Sequence, residues 1–253
     1  MSAKFNYQQG YEEAKSNYDK YIQATIWSQT LIEGQTLKYN SVLKYFDPRQ
    51  SLRTPLNQIF TKSEKVSAYT INLLNCLKSA WDLISSWLND DQMTIIPDCS
   101  DLILLNWKAA QCEQITPGLK KHPVKSGGST YLPDPLITVV HYENMISNIN
   151  QIEDQLNAIL TQFAHLCKQQ LFNDGNKRSG LLLANYQLIK SGIAKQMFVP
   201  ADRITEFKKQ LIDYYEDEQK LQQLIKFLKQ HCLKFTNAYL QYYKLQKSKS
   251  LKS

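Results

Sequence analysis

"LFNDGNKRSGLLLANYQLIKSG", residues 171–192, opens on a polar turn with one glycine and runs on as one of the most apolar stretches in the chain. A helix apolar nearly all round is buried on most sides, so this segment predicts the central helix of a helical domain. Its start is the informative end. The first N–H groups of a helix lack internal acceptors, and the helix dipole adds about half a positive charge there. Gly175 lets the backbone bend so that successive N–H groups converge, and Lys177 and Arg178 add two full charges. That combination suits a phosphate better than a carboxylate. Asp174 on the rim would clash with an anion unless a cation intervened, and Mg²⁺ bridging a carboxylate and phosphate oxygens resolves the clash. Taken alone, "NDGNKR" is equally an ordinary polar turn that caps a helix.

The rest of the chain fits a helical reading. Its 253 residues suffice for a large core, and only eight glycines and eight prolines argue against a turn-dense β protein. Apolar residues at steps of three and four predict a helix from Tyr11 to about Glu33, stopped by Gly34. A short helix is expected at 41–46, ahead of Pro48, and others at 66–87 and 100–115. One long helix is expected from Met145 to Gln170, placing Gln170 on its inward stripe; His165 faces away. Two more are expected at 201–215 and 218–243. Between the helices expected at 100–115 and 145–170, residues 116–135 hold three glycines and four prolines, and the Gly-Gly pair inside "VKSGGSTYL" signals a hairpin.

The formal charge of +7 is scattered over helix faces rather than massed, which disfavours nucleic acid as the partner. Five cysteines without metal-ligand spacing read as reduced packing residues. No apolar leader or membrane-length run is present, so a cytoplasmic location without a membrane partner is expected.

"Q-L-F-N-D-G-N-K-R", 170–178, resembles the Fic/Doc (Fido) motif H-P-F-x-[D/E]-G-N-[G/K]-R. "HPVKSGGSTYLPDP", 122–135, is similar to that family's flap, a β-hairpin that captures a target segment by strand addition. "SQTLIEGQ", 28–35, is similar to the inhibitory helix end [S/T]-x-x-x-E-[G/N]. The resemblance implies an all-α, Fic/Doc-type helical core with a small β-hairpin flap. It divides the chain into an N-terminal region with an inhibitory helix (1–60), the Fido domain (61–243) and a basic tail (244–253). The activity it implies is AMP transfer from ATP to a hydroxyl of a target protein. Asp174 would hold Mg²⁺; Gly175, Asn176, Lys177 and Arg178 would bind the nucleotide phosphates; Phe172 would anchor the loop. Glu33 would inhibit, and Gly127, Gly128, Ser129, Thr130 and Tyr131 would hold the target. Homo-oligomerisation stays open.

Four positions depart from the family pattern. Gln170 stands where the catalytic histidine is expected, and a neutral amide cannot accept the hydroxyl's proton. Lys177 replaces the commoner glycine, as in Doc proteins that transfer the γ-phosphoryl group. Leu181 takes the place of the second arginine that pairs with the inhibitory glutamate, so either Arg178 or Lys177 pairs with Glu33 or Glu33 no longer inhibits. Gln29 occupies the inhibitory Ser/Thr position, flanked by Ser28 and Thr30. Weak or absent transfer is expected. The alternatives are a Doc-like kinase and a non-catalytic nucleotide-binding interaction module.

Overall fold

A computed structural model describes residues 5–16, 18–47, 54–113 and 115–250. The helices are α1 (Tyr7–Lys15), α2 (Tyr18–Ile32), α3 (Tyr39–Tyr45), α4 (Leu56–Ile59), α5 (Ala68–Asn89), α6 (Cys99–Ala110), α7 (Val139–Ile149), α8 (Gln155–Gln169), α9 (Asn176–Lys190), α10 (Ile204–Glu216), α11 (Leu221–His231) and α12 (Asn237–Ser250). The all-α class holds. Strands β1 (Ala194–Met197) and β2 (Leu233–Phe235) form an antiparallel pair.

The opening stretch is the axis of the fold. Every residue of α9 from Arg178 to Ile189 is buried. Leu182, Leu183, Tyr186 and Ile189 enter one apolar cluster with α2, α5 and α6, while Leu181, Ala184 and Leu188 enter a second with α8, α10 and α11. Such a helix forms because burial on both sides outweighs any need for a polar face. The N-terminal helices share the first cluster through Ala14, Tyr18, Ile22 and Ile26.

Several expected elements are divided. The helix predicted over Tyr11–Glu33 is two helices, α1 and α2. Gly34 does end α2, with Gly34 N–H donating to Leu31 O at 3.0 Å and Gln35 N–H to Thr30 O at 2.9 Å. The long helix expected from Met145 to Gln170 is α7 and α8. Asp154 accepts from Asn157 N–H at 2.6 Å and starts a new helix where an unbroken one was predicted. The last expected helix, 218–243, is interrupted by β2. Thr236 fixes the turn after it, its N–H donating to Ile193 O at 3.1 Å and its Oγ1 to Gly192 O at 2.7 Å. Residues 244–250 of the expected basic tail extend α12; Pro48 and residues 251–253 lie outside the described residues.

The flap is corrected in place. Residues 124–131 turn at Gly127–Gly128 but form no strand pair, and the β pair joins β1 to β2 instead. The cause is a competing acceptor: Glu216 on α10 takes the N–H groups of Thr130 and Tyr131, at 2.6 and 3.3 Å, that a ladder would need.

Candidate functional site

The ends of α2, α6 and α8, the flap turn and the start of α9 converge on one site. Helix α8 stops at Gln170, whose φ of 48° and ψ of 61° place it in the left-handed region, the one non-glycine with positive φ among the described residues. Its side chain therefore leaves the helical stripe on which the sequence placed it, yet stays buried. The amide bonds at both ends: Nε2 donates to Cys167 O at 2.5 Å, and Oε1 accepts from Asn176 Nδ2 at 3.1 Å. Lys120 closes the same helix end, donating from Nζ to Gln169 O at 3.0 Å and from its backbone N–H to Leu171 O at 2.8 Å.

Asn176 holds the loop shut. Its Nδ2 also donates to Phe172 O at 2.8 Å, and its Oδ1 accepts from Phe172 N–H at 2.9 Å. Phe172 is buried in the first apolar cluster, as its anchoring role required. Gly175 has φ of 76°, and a Cβ there would stand 2.6 Å from Ala110 Cβ. No other residue type fits that backbone and that gap. Asp174 O accepts from Asn106 Nδ2 at 2.9 Å, and Asp174 Oδ1 accepts from the Gly175 N–H.

Arg178 is the electrostatic centre. It is 2% exposed; its two terminal nitrogens donate four hydrogen bonds, while buried Nε makes none. Nη1 donates to Ala109 O at 3.0 Å and to Cys112 Sγ at 3.4 Å; Nη2 donates to Asp174 Oδ1 at 3.0 Å and Glu113 Oε1 at 3.3 Å. Glu33 Oε1 lies 3.5 Å from Nε. Burial works against the guanidinium charge, but Glu33 and Asp174 outweigh it and hold the group protonated above its ordinary value. Arg178, rather than Lys177, is therefore the ion partner of Glu33.

Glu113 was missed by sequence reasoning. It sits in the 3-10 turn Gln111–Glu113 after α6 and accepts from Tyr69 Oη at 2.7 Å. An acid ending an amphipathic helix gives no signal of facing an arginine 65 residues away. Ser28 and Thr30 serve the fold: Ser28 Oγ donates to Val199 O at 2.8 Å, and Thr30 Oγ1 to Trp27 O at 2.7 Å. Gln29 is buried beside Glu33 and Arg178, and Leu181 is core. His165 is satisfied by Tyr214 Oη at 2.9 Å from Nδ1, and burial lowers its pKa.

A cavity of about 290 Å³ opens beside this cluster, bounded by Glu33, Ser126, Gly127, Lys177, Lys208 and Tyr215. Lys177 thus faces it directly, while Arg178 lies behind Glu33. The remaining flap residues are tied down. Gly128 makes the turn, and Ser129 Oγ and Thr130 Oγ1 donate to Glu216 at 2.5 and 2.7 Å. The Tyr131 ring lies under Lys168 Nζ at 4.7 Å. Among the described residues, no three His, Cys, Asp or Glu side chains cluster to hold a metal, and no helix is long and apolar enough to cross a membrane.

Residues 99–188 match the family model described as Fic/DOC family. Two solved structures share the fold. Fic-1 (residues 134–508) of C. elegans is 12% identical with a TM-score of 0.63, covering 97% of this chain and 73% of its own. A Fic domain containing signaling protein from Bacteroides thetaiotaomicron is 17% identical with a TM-score of 0.61, covering 96% and 97%. No curated protein sequence matches the chain.

Proposed function

We propose, from the match of residues 99–188 to the Fic/DOC family model, that the chain is a nucleotide-binding Fic protein held closed by Glu33 and impaired in AMP transfer. The observation that carries this reading is the state of Gln170. At the motif's histidine position stands an amide whose Nε2 donates to Cys167 O and whose Oε1 accepts from Asn176. An amide has no proton-accepting nitrogen lone pair to offer an attacking hydroxyl. Loss of a general base costs about 10²–10⁴ in rate, so any transfer rests on positioning and phosphate stabilisation.

The residues fit a polyphosphate, with one condition. Lys177 and Lys208 line the cavity, and Arg178 stands behind Glu33. Arg178 becomes available to a phosphate oxygen when Glu33 moves away. A single Mg²⁺ fits Asp174, whose side chain is 49% exposed and has Oδ1 turned to Arg178. Mg²⁺ keeps several waters and needs only one or two protein carboxylates beside its phosphate ligands. Bound there, the ion would offset the phosphate charge that Asp174 otherwise repels. Glu113 and Asp174 keep Arg178 oriented throughout, and Asn176 keeps the loop closed beneath it. The target protein would enter along the flap, where Gly127 borders the cavity.

Calorimetry with Mg-ATP tests the reading. Glu33→Gly is expected to tighten binding at least about tenfold, a change of roughly 1.4 kcal/mol. Absence of binding heat for both proteins would overturn it. ATP labelled at the α or γ phosphate then separates AMP transfer from the Doc-like phosphoryl transfer that Lys177 raises, and retention of neither label supports the non-catalytic module.

A further inference from the structure

Two carboxamides lie inside the apolar run of α9, and they are used differently. Asn185 serves the fold. Its Nδ2 donates to Leu181 O and Met197 O, both at 2.8 Å, and its Oδ1 accepts from Met197 N–H at 2.8 Å. Gln187 instead meets a glutamine of α8, its Nε2 donating to Gln162 Oε1 at 2.8 Å. Both glutamines are 1% exposed. Gln162 Nε2 and Gln187 Oε1 have no hydrogen-bond partner among the described residues. Exchanging N and O in both amides leaves the same remainder, one donor end and one acceptor end. Buried amide ends are costly to leave unpaired, so this remainder calls for a ligand that carries one of each.

The pair lines a cavity of about 150 Å³. The walls are mainly isoleucine: Ile149 and Ile159 are buried, and Ile95, Ile96 and Ile152 are partly so. Exposed Glu153 and Asn150 border it between α7 and α8. An apolar cavity of about this volume takes a ring the size of benzene. The Glu153 carboxylate disfavours a second negative charge there. No lining residue is shared with the cavity beside Lys177. Gln187 stands eleven residues after Asn176 on α9, about 16 Å along the helix.

We propose that this cavity is a binding site for a small, neutral aromatic carboxamide. The ligand's carbonyl accepts from Gln162 Nε2, its N–H donates to Gln187 Oε1, and the isoleucines enclose its ring. A carboxylate in place of the amide has no proton for Gln187 and is repelled by Glu153. The inference does not depend on nucleotide binding.

Titration of the full chain with benzamide, followed by NMR, tests it. The side-chain NH₂ signals of Gln162 and Gln187 and the methyl signals of Ile95 and Ile152 are expected to shift together and saturate. Benzoate is expected to bind at least about tenfold more weakly. No shift, shifts confined to other parts of the molecule, or benzoate binding as tightly as benzamide would each overturn the proposal. Replacing both amides, Gln162→Leu with Gln187→Leu, keeps the shape and leaves neither partner stranded. The doubly substituted protein is expected to fold and to bind benzamide at least about tenfold more weakly. Ile152→Trp, which fills the cavity from a partly exposed wall and leaves both amides in place, is expected to block benzamide as well. Undiminished binding in either folded variant would refute the site.

Discussion

Gln170 carries a conformational cost that its own side chain offsets. A non-glycine in the left-handed region is strained by about 1 kcal/mol or more, and two buried hydrogen bonds hold Gln170 there. Gln170→Ala loses the bonds and keeps the strain, whereas Gln170→Gly loses both. Urea denaturation is expected to show the glycine variant more stable than the alanine variant by about 1 kcal/mol; equal stabilities would mean the strain is absent. Asn176→Ala is a larger loss, about 2 kcal/mol or more, because it strands Phe172 N–H and Phe172 O together. An unchanged denaturation midpoint would show that the loop closes without this clamp. Much of this site was legible, since a turn glycine, basic residues and a helix start are local features. The partners of Arg178 were not. Ala109 O, Cys112 and Glu113 reach it through the packing of α6 on α9, which no spacing in the sequence encodes.

Glu216 shows what an element can add from a distance. It ends α10, is exposed, and accepts four hydrogen bonds from flap residues about 86 positions earlier. The bonds from Ser129 and then Thr130 hold its carboxyl down, to about 2, from an ordinary 4.5. A depressed carboxyl contributes its share above the ordinary value and loses it as pH falls through the folded value. Hydrogen exchange at Thr130 and Tyr131 is therefore expected to remain protected at pH 4 and to lose protection near pH 2. Glu216→Ala is expected to remove that protection at neutral pH, and unchanged exchange in the variant would show that Glu216 does not latch the flap. Such long-range acceptors explain where the helix and hairpin pattern misled. Hydrophobic periodicity located the helix around Val66–Trp87 well, because it faces one core along its length, and an unbroken apolar run located Leu181–Ile189, which is buried between two clusters. Periodicity carried straight through Asp154 and Thr236, where single side chains stop or redirect the chain.

At the scale of the whole molecule, the N-terminal helices are part of the core that α9 organises. Gly10 on α1 and Gly192 after α9 touch backbone to backbone; a Cβ on Gly192 would lie 2.6 Å from Tyr11 N. Tyr18 Oη donates to Trp81 O at 2.7 Å, and Ile22 and Ile26 fill the cluster beneath α9. Gly10→Val must push the two helices apart, at a cost of about 1–3 kcal/mol spread over the whole fold. That joins inhibition to stability in a testable way. If Glu33 acted by releasing its helix, freeing the site would require undoing this packing; acting through its side chain, it need only let go of Arg178. Glu33→Gly is therefore expected to keep one cooperative melt, with Tm moved by only a few degrees. Gly10→Val is expected to lower Tm without tightening Mg-ATP binding. A Gly10→Val protein that binds Mg-ATP as tightly as Glu33→Gly would mean that the helix itself, and not its last carboxylate, holds the site closed.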